Sequence, residues 1–203
     1  MTDKAKKTLT MPPSIQTASD AQSDQVLATT VLAFCTDPFV RWAAPDPHRY
    51  LTRYPTLFNV FIRKALEHQT VYCAEGFSGV AVWLPPQAQL DEQDIGLAIQ
   101  SLGVSPLQEM AGSLFEQFMG FHPQQPHWYL PLMGVEPSHQ RQGVGSALLK
   151  HALMACDRDQ TVAYLEASSA QNLALYERHG FEVLGTIQAG DSPPIYPMVR
   201  APR

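Results

Sequence analysis

Basic residues are scarce in this chain, which has 14 lysines and arginines against 19 aspartates and glutamates and a formal net charge of −5. A general nucleic-acid-binding protein normally presents a basic face, so this balance argues against that class. It also means that a polyanionic ligand must be held by local geometry rather than by overall charge. We therefore expect no nucleic-acid partner.

Cysteines and long apolar runs are also scarce. Cys35, Cys73 and Cys156 are odd in number, widely separated and without paired metal-ligand spacing, which favours reduced thiols over a disulfide or a zinc site. No apolar run approaches the ~20 residues that a membrane-spanning helix needs. The polar opening lacks the apolar middle of a secretory signal. We expect a cytoplasmic protein with no metal and no membrane partner.

The remaining composition is that of an ordinary folded domain, with 45% hydrophobic residues in a chain of 203. This length supports one domain with a full core. We expect residues 1–13 to form a flexible tail that ends in two prolines, and residues 14–203 to form a single domain. Pro85-Pro86 opens a helical insert at about 86–121.

The first half combines helices with a hairpin. Helical spacing of apolar residues begins at Asp20 or Ser23 and stops at Asp37-Pro38, and a second helix is predicted from about Pro55 to Glu67. Segments 70–74 and 79–84 flank a turn like the strands of a hairpin, and 14–17 has the pattern of a short strand. The insert carries an apolar stripe at helical spacing that comprises Leu107, Ala111, Leu114, Phe118 and Phe121. This stripe indicates a core contact rather than a binding surface.

The second half alternates strands and helices. The predicted order is strand 127–135, helix 144–156, strand 161–167, helix 171–179, and strands near 181–187 and 195–200. A strand, a helix and a strand joined by short links indicate a parallel pair flanked by a helix. The last two strands suggest an antiparallel addition. The predicted fold class is α/β with a mixed sheet.

The most informative segment is the turn Gln140-Arg141-Gln142-Gly143-Val144-Gly145, between an apolar strand and a helix. Such a turn directs backbone N–H groups and the positive end of the helix at one small volume, where a phosphate or pyrophosphate binds. Its glycines let an anion approach the backbone closely. The spacing excludes a P-loop and a dinucleotide fingerprint. A glycine pair before a helix is also often only a tight connection, and this alternative stays open.

A second block lies downstream, around the predicted helix 171–179. Asn172 and Tyr176 are four residues apart and share one helix face, and Gly180 follows where helices commonly end. An extended ligand that starts at the glycine turn would pass Asn172 and approach Tyr176. The structural alternatives are a helix-capping role for Asn172 and a half-buried aromatic role for Tyr176.

Together, Gln140-x-x-Gly143-x-Gly145 and Asn172-x-x-x-Tyr176-x-x-x-Gly180-Phe181 resemble the GNAT superfamily of acyl-CoA-dependent N-acetyltransferases. The resemblance is strong from about 127 to 187, which would form the acyl-CoA-binding core. More locally, the chain is similar to the puromycin N-acetyltransferase branch. The matching segments include Asp37-Pro38, Ala81-Val82-Trp83, Trp128-Tyr129-Leu130, Gly134-Val135, His139-Gln140, Leu165-Glu166 and Leu175-Tyr176-Glu177-Arg178.

This resemblance implies a mostly antiparallel sheet, flanked by helices, in which strand 127–135 splays from its parallel neighbour 161–167. Acetyl-CoA would enter the gap, its pantetheine bonding to strand backbone as an added strand does. The implied contacts are Met133, Gly134 and Val135 on the strand, Gln140, Arg141, Gln142, Gly143, Val144, Gly145 and Ser146 at the pyrophosphate, and Asn172 and Tyr176 beyond. Pro131 predicts a bulge in this strand, because proline cannot donate to a ladder.

Acetyl transfer needs an uncharged amine, a polarised thioester and a proton for the departing thiolate. A phenol has a reference pKa near ~10 and a thiol near ~8.5, so Tyr176 is the candidate general acid. A backbone N–H near Met133 would hold the oxyanion. Glu166, acting through water, is the first candidate for the general base, and His127 is the second. Ordinary structural roles remain open for Glu166, His127 and Arg141.

The leading interpretation is an enzyme, monomeric or homodimeric, that moves an acetyl group from acetyl-CoA to a primary amine of a small molecule or peptide. A catalytically silent acyl-CoA-binding module and a purely structural glycine turn are the alternatives. The acceptor pocket is expected from residues 35–90 and the insert. That region contains aromatic residues and acids but no motif: Trp42, Phe77, Trp83, Asp37, Asp46 and Glu67.

Overall fold

The computed structural model describes residues 13–203 apart from 89 and 104. The predicted tail therefore lies, except for Pro13, outside the described residues, as do the side chains of Leu107 and Ala111 in the predicted stripe. The strands are β1 Ile15–Thr17, β2 Val71–Ala74, β3 Gly79–Leu84, β4 Trp128–Val135, β5 Ala163–Ala167, β6 Glu182–Val183 and β7 Tyr196–Arg200. The α-helices are α1 Ser23–Phe34, α2 Pro38–Ala43, α3 Pro47–Glu67, α4 Glu92–Leu102, α5 Ser105–Phe121, α6 Val144–Arg158 and α7 Leu173–Arg178.

The strands form one sheet in the order β1-β2-β3-β4-β5-β7-β6. Every pair of neighbours is antiparallel except β4 and β5, which run parallel. Helix α6 makes the crossover between these two strands, as a parallel connection requires. The predicted mixed, mostly antiparallel α/β fold is confirmed.

The parallel pair separates soon after it begins. β4 and β5 pair only where Trp128–Leu130 meets Ala163–Leu165. Beyond this point β4 stays with β3 as far as Val135, while β5 stays with β7 as far as Ala167. A gap therefore opens in the middle of the sheet, and the implied splay is confirmed.

A bulge precedes this gap. Val82 pairs with Leu132 but Leu84 pairs with Tyr129, so two residues of β4, Leu130 and Pro131, lie opposite Trp83 alone. Proline has no N–H to give to the ladder, which makes this a compatible position for it. The extra residue also shifts the alternation of side chains by one position, so even-numbered and odd-numbered residues of β4 change faces after the bulge. The predicted bulge at Pro131 is confirmed.

Helices cover both faces of the sheet. One core lies between the sheet and α1, α2 and α3, and includes Val26, Tyr54, Phe58, Ile62 and Val82. The other lies under α6 and α7, and includes Trp83, Leu148, Leu149, Leu165 and Tyr176. These two cores fix the helix positions around the gap.

Several boundaries differ from the prediction by a few residues, including those of α6, α7 and β6, and the start of α3 differs most. α3 begins at Pro47 rather than near Pro55, because Asp46 caps its first turn by accepting a bond from the N–H of His48 at 2.9 Å. Tyr50 and Tyr54 are buried, and burial of that earlier stretch outweighs the ~3 kcal/mol that an interior proline typically costs. Asp37-Pro38 ends α1 as predicted but also begins α2.

The predicted insert is helical and forms α4 and α5. On α5, Leu114 is buried beside Ile187, Ala189 and Ile195, with Phe118 and Phe121 packed against them. These three members of the stripe make the predicted core contact, and Leu114 and Phe118 also line a cavity, which the prediction did not include. No helix within the described residues is long and apolar enough to cross a membrane.

Candidate active site

A cavity of about 1050 Å³ occupies the gap between β4 and β5. One side is formed by β4, the glycine turn and the start of α6, and another by residues 166–169 and α7. Residues of α1, α2, α3, α4 and α5 complete its walls. The splayed strands thus lead directly to the turn that the sequence singled out.

The edge of β4 presents alternate backbone groups to this cavity. The N–H of Glu136 donates to the carbonyl of Ser78 at 3.0 Å, so Gly134, two residues earlier, also directs its polar groups at β3. Met133 and Val135 lie between these positions and direct theirs at the opening. The carbonyl of Val135 also accepts a bond from the side chain of Gln140 at 3.2 Å. The polar groups of Met133 and the N–H of Val135 are thus available for a bound chain, whereas Gly134 lines the cavity with its backbone bonds turned away.

Gly134 has a packing role in addition. A Cβ at this position would lie 2.4 Å from Cβ of Ala33, which is far inside contact distance. The absence of a side chain lets α1 cross β4 closely. This contact holds the end of α1, and with it Asp37, against the cavity.

The glycine turn has the backbone shape that the motif predicted. Arg141 and Gly143 both have positive φ, at 61° and 89°, which is the left-handed region that glycine tolerates best. The side chain of Gln140 bonds the carbonyl of Val135 at 3.2 Å, and that of Gln142 bonds the carbonyl of Ser138 at 2.9 Å. These bonds tie the turn to the end of β4.

The start of α6 faces the cavity. Six residues of the turn and first helical positions line it: Gln140, Arg141, Gly143, Val144, Gly145 and Ser146. The first N–H groups of a helix have no partner within it, and Gly143 supplies no side-chain cap. Ser146 hydroxyl bonds Nε2 of His179 at 3.0 Å. The mouth of the helix is therefore open and suited to an anion.

Asn172 and Tyr176 line the cavity as predicted from their spacing. Asn172 makes no capping bond with its side chain. Tyr176 is 7% exposed, and its ring packs edge-on against Phe181 with centroids 6.0 Å apart. Burial raises the pKa of the Tyr176 phenol, and the negative charge of Asp37 adds to this increase. The phenol therefore keeps its proton at neutral pH.

The two predicted general bases occupy different positions. Glu166 lines the cavity, but His127 is not among the residues that line it. Nδ1 of His127 bonds the carbonyl of Gln125 at 2.8 Å, and Nε2 lies 3.0 Å from Nε2 of His122. Burial lowers the pKa of His127. His122 lies between the two candidates, and the sequence analysis did not single it out.

Asp37 is the principal residue that the sequence analysis underrated. Its Oδ1 accepts a bond from the N–H of Val40 at 3.0 Å, and its Oδ2 accepts one from the hydroxyl of Ser168, at the far wall. Burial raises the pKa of this carboxyl. The other five aromatic and acidic residues noted in segment 35–90, each of which was expected to be a core or surface residue, are not among those lining the cavity: Trp42, Phe77, Trp83, Asp46 and Glu67.

The comparisons with known proteins agree with this geometry. Residues 110–183 match the acetyltransferase (GNAT) domain model. A structure from Corynebacterium glutamicum, titled histone acetyltransferase HPA2 and related acetyltransferase, is 29% identical; the match covers 95% of this chain and 98% of that one, with a TM-score of 0.69.

Two insect enzymes share the fold at lower identity. Arylalkylamine N-acetyltransferase 2 from Aedes aegypti is 15% identical, with 94% and 99% of the two chains covered and a TM-score of 0.70. The polyamine N-acetyltransferase of Drosophila melanogaster is 14% identical, with 93% and 99% covered and a TM-score of 0.62. The narrower likeness to the puromycin branch stays a prediction. The match over residues 110–183 and the shared architecture show that this chain has the fold of the GNAT acetyltransferases and contains a segment that matches their domain model.

Proposed function

We propose that this protein transfers an acetyl group from acetyl-CoA to a primary amine of a small molecule or peptide. The observation that carries the proposal is the continuity of one cavity, which contains the open start of α6, the free edge of β4 and the phenol of Tyr176. An acyl-CoA has a matching order of parts, with a pyrophosphate, an extended pantetheine arm and a reactive thioester. Proteins of similar structure include an arylalkylamine N-acetyltransferase and a polyamine N-acetyltransferase.

The donor would be held mainly by backbone groups. Residues 143–146 line the cavity at the start of α6, where their N–H groups would bind the pyrophosphate and Arg141 would add a positive charge. Gln142 holds the turn in shape from outside the cavity lining. Met133 and Val135 would pair with the pantetheine amides as a strand pairs with its neighbour. The hydroxyl of Ser146 and the amide of Asn172 supply further polar contacts.

The reaction would proceed by direct attack. The amine nitrogen forms a bond to the acetyl carbon, the C–S bond breaks, and the thiolate of CoA takes a proton from Tyr176. The backbone N–H of Met133 would donate to the carbonyl oxygen as it gains charge; one such donor is typically worth about 10²–10³ in rate. Pro131 cannot assist, because it has no N–H. No protein nucleophile is needed.

The amine also has to lose a proton. Glu166 is our proposed acceptor, through water, because its carboxylate lines the cavity and its side chain is only 9% exposed. His127 is separated from the cavity by His122, and it has both ring nitrogens engaged. We therefore place His127 behind Glu166 rather than at the substrate.

The test begins with the purified full chain. Calorimetric titration with acetyl-CoA should give saturable binding, and addition of primary amines should release free thiol and an acetylated product seen by mass spectrometry. Saturable binding without thiol release for any primary amine would identify a binding module instead. No heat and no thermal shift with acetyl-CoA would contradict the proposal altogether.

A further inference from the structure

The cavity wall opposite the glycine turn is apolar. Helices α1, α3 and α5 contribute most of it, through Phe34, Leu57, Phe58, Phe61, Leu114 and Phe118. Phe34 and Phe58 touch, with ring centroids 5.4 Å apart, so the wall is continuous where α1 meets α3. Apolar area buried on such a surface contributes about 25 cal/mol per Å². An acceptor with an apolar body therefore gains most from this wall.

Charged residues are divided between the two ends of the cavity. The basic side chains that line it, His139, Arg141 and Arg178, belong to the glycine turn and α7. The carboxylates that line it are Asp37 and Glu166. Asp37 bonds the hydroxyl of Ser168, two residues beyond Glu166, so both carboxylates lie at the end of β5. Among the residues that the structure describes, the carboxylates that line this cavity therefore lie together at one end of it, where a cation would bind.

Asp37 is suited to receive that cation. It is half-buried and forms no ion pair within the part of the chain that the structure describes. Its hydrogen bonds to Val40 and Ser168 fix the orientation of the carboxyl group across the cavity. A buried carboxylate is costly unless it is paired, and an ammonium group would pair it.

We infer that the acceptor is a primary amine with a single ammonium group and an apolar body, held by pairing of the ammonium with Asp37 and packing of the body on the wall of α1, α3 and α5. This inference rests on the proposed function and narrows its substrate. A second ammonium would have to be buried beside Phe58 and Leu57, where none of the described residues that line the cavity is a carboxylate. Diamines, polyamines and lysine-rich peptides are thus disfavoured.

The same pairing would link acceptor binding to chemistry. The charge of Asp37 is one cause of the raised pKa of Tyr176. An ammonium beside Asp37 neutralises that charge, which moves the pKa of the phenol back toward that of a thiol. The nitrogen is neutral after Glu166 takes its proton and positive again once it has bonded to the acetyl carbon, so Tyr176 would donate its proton more readily at the step in which the thiolate leaves.

The decisive comparison uses two amines of equal length. n-Hexylamine and 1,5-diaminopentane differ only in a terminal methyl group against a second amino group. We expect kcat/KM for hexylamine to exceed that for the diamine by about 100-fold or more, since an unpaired buried charge is heavily penalised. 2-Phenylethylamine should also be a good acceptor, and a lysine-containing peptide a poor one.

A variant that gains activity must be folded, so its result cannot be explained by a loss of structure. Leu57→Glu places a carboxylate in the apolar wall, where it should raise kcat/KM for 1,5-diaminopentane at least tenfold and lower that for hexylamine. Leu51→Glu is the matched control, because Leu51 lies on the same helix, is 59% exposed and does not line the cavity. That control should leave both amines unchanged.

Asp37→Asn removes the negative charge but preserves the fold, because asparagine can also cap α2. We expect KM for hexylamine to rise at least tenfold with the Kd for acetyl-CoA unchanged.

Equal or better turnover of diamine or peptide by the wild-type protein would overturn this inference and leave the proposed function intact. Absence of thiol release with every amine, or of acetyl-CoA binding, would overturn both.

Discussion

Nδ1 of His122 lies 3.7 Å from Oε1 of Glu166, behind the wall of the cavity. The neighbouring His127 must carry its proton on Nδ1, since that atom bonds a carbonyl oxygen; neutral His127 therefore accepts at Nε2 from the Nε2–H of His122. This leaves Nδ1 of His122 as its proton-accepting atom, facing Glu166. A proton taken from the amine by Glu166 thus has a second acceptor close by.

Glu166→Gln should lower kcat/KM at neutral pH by about 100-fold, as loss of a general base typically does. The deficit should narrow as pH rises toward the pKa of the amine, because more of the amine is then already neutral. His127→Gln is the matched variant and should change kcat/KM less than threefold. The measurement is a pH–rate profile for each variant. An equal loss in the two would remove Glu166 from its proposed role.

Tyr176→Phe should lower kcat by about 100-fold or more and leave the Kd for acetyl-CoA unchanged, because only the proton donor is lost. Thiol-release kinetics and calorimetry measure the two quantities separately. Tyr72→Phe serves as the control, since Tyr72 lies on β2, against His151 and away from the cavity lining. Undiminished turnover in Tyr176→Phe would exclude the phenol as general acid.

Arg141→Gly should have opposite effects on stability and donor binding. Glycine relieves the positive φ of 61° at this position, so the melting temperature should rise slightly. Loss of the charge should weaken acetyl-CoA binding about fivefold in low salt and less in high salt. Calorimetry at two ionic strengths measures this. An unchanged Kd in low salt would show that Arg141 does not contact a phosphate.

Asp37→Asn should stabilise the free protein at neutral pH. Burial raises the pKa of Asp37 in the folded state, so its contribution to stability is fully present below the unfolded pKa of ~3.9 and is lost as pH rises through the folded value. The melting temperature of the variant should exceed that of wild type at pH 7, and the advantage should vanish near pH 4. A melting temperature below that of wild type at pH 7 would contradict the predicted direction of this effect.

Arg200→Ala should destabilise the fold by about 3 kcal/mol, because it breaks a two-pronged pair with Asp157 at 2.7 and 3.0 Å. Arg200 is 4% exposed and joins β7 to the end of α6. Its hydrogen bond lowers the pKa of Asp157, so this stabilisation is present above ~pH 4 and is lost as pH falls through the lowered folded value. Urea unfolding at several pH values measures it.

Arg158→Ala is the control for this pair. Arg158 contacts Asp159 on the surface, where its side chain is 73% exposed and solvent screens the charges. We expect no measurable change in stability. A loss as large as that of Arg200→Ala would mean that burial does not distinguish the two pairs.

Local sequence determined much of this protein. The glycine turn, the proline bulge and the spacing of Asn172 and Tyr176 depend on φ preferences, a missing N–H and helical periodicity, which act between near neighbours. For that reason the turn and its helix could be predicted without coordinates. The start of α3 could not, because an interior proline is tolerated only when burial of Tyr50 and Tyr54 outweighs its cost.

Tertiary structure alone decided how the acceptor side is built. Asp37 and Ser168 are 131 residues apart in sequence, and their hydrogen bond exists only because α1 crosses β4 at Gly134. Likewise, His122 lies beside Glu166 because the insert returns to the sheet there. Contacts of this kind depend on the packing of whole elements, whose free energies are summed over many residues. No local pattern around Asp37 or His122 carries that information.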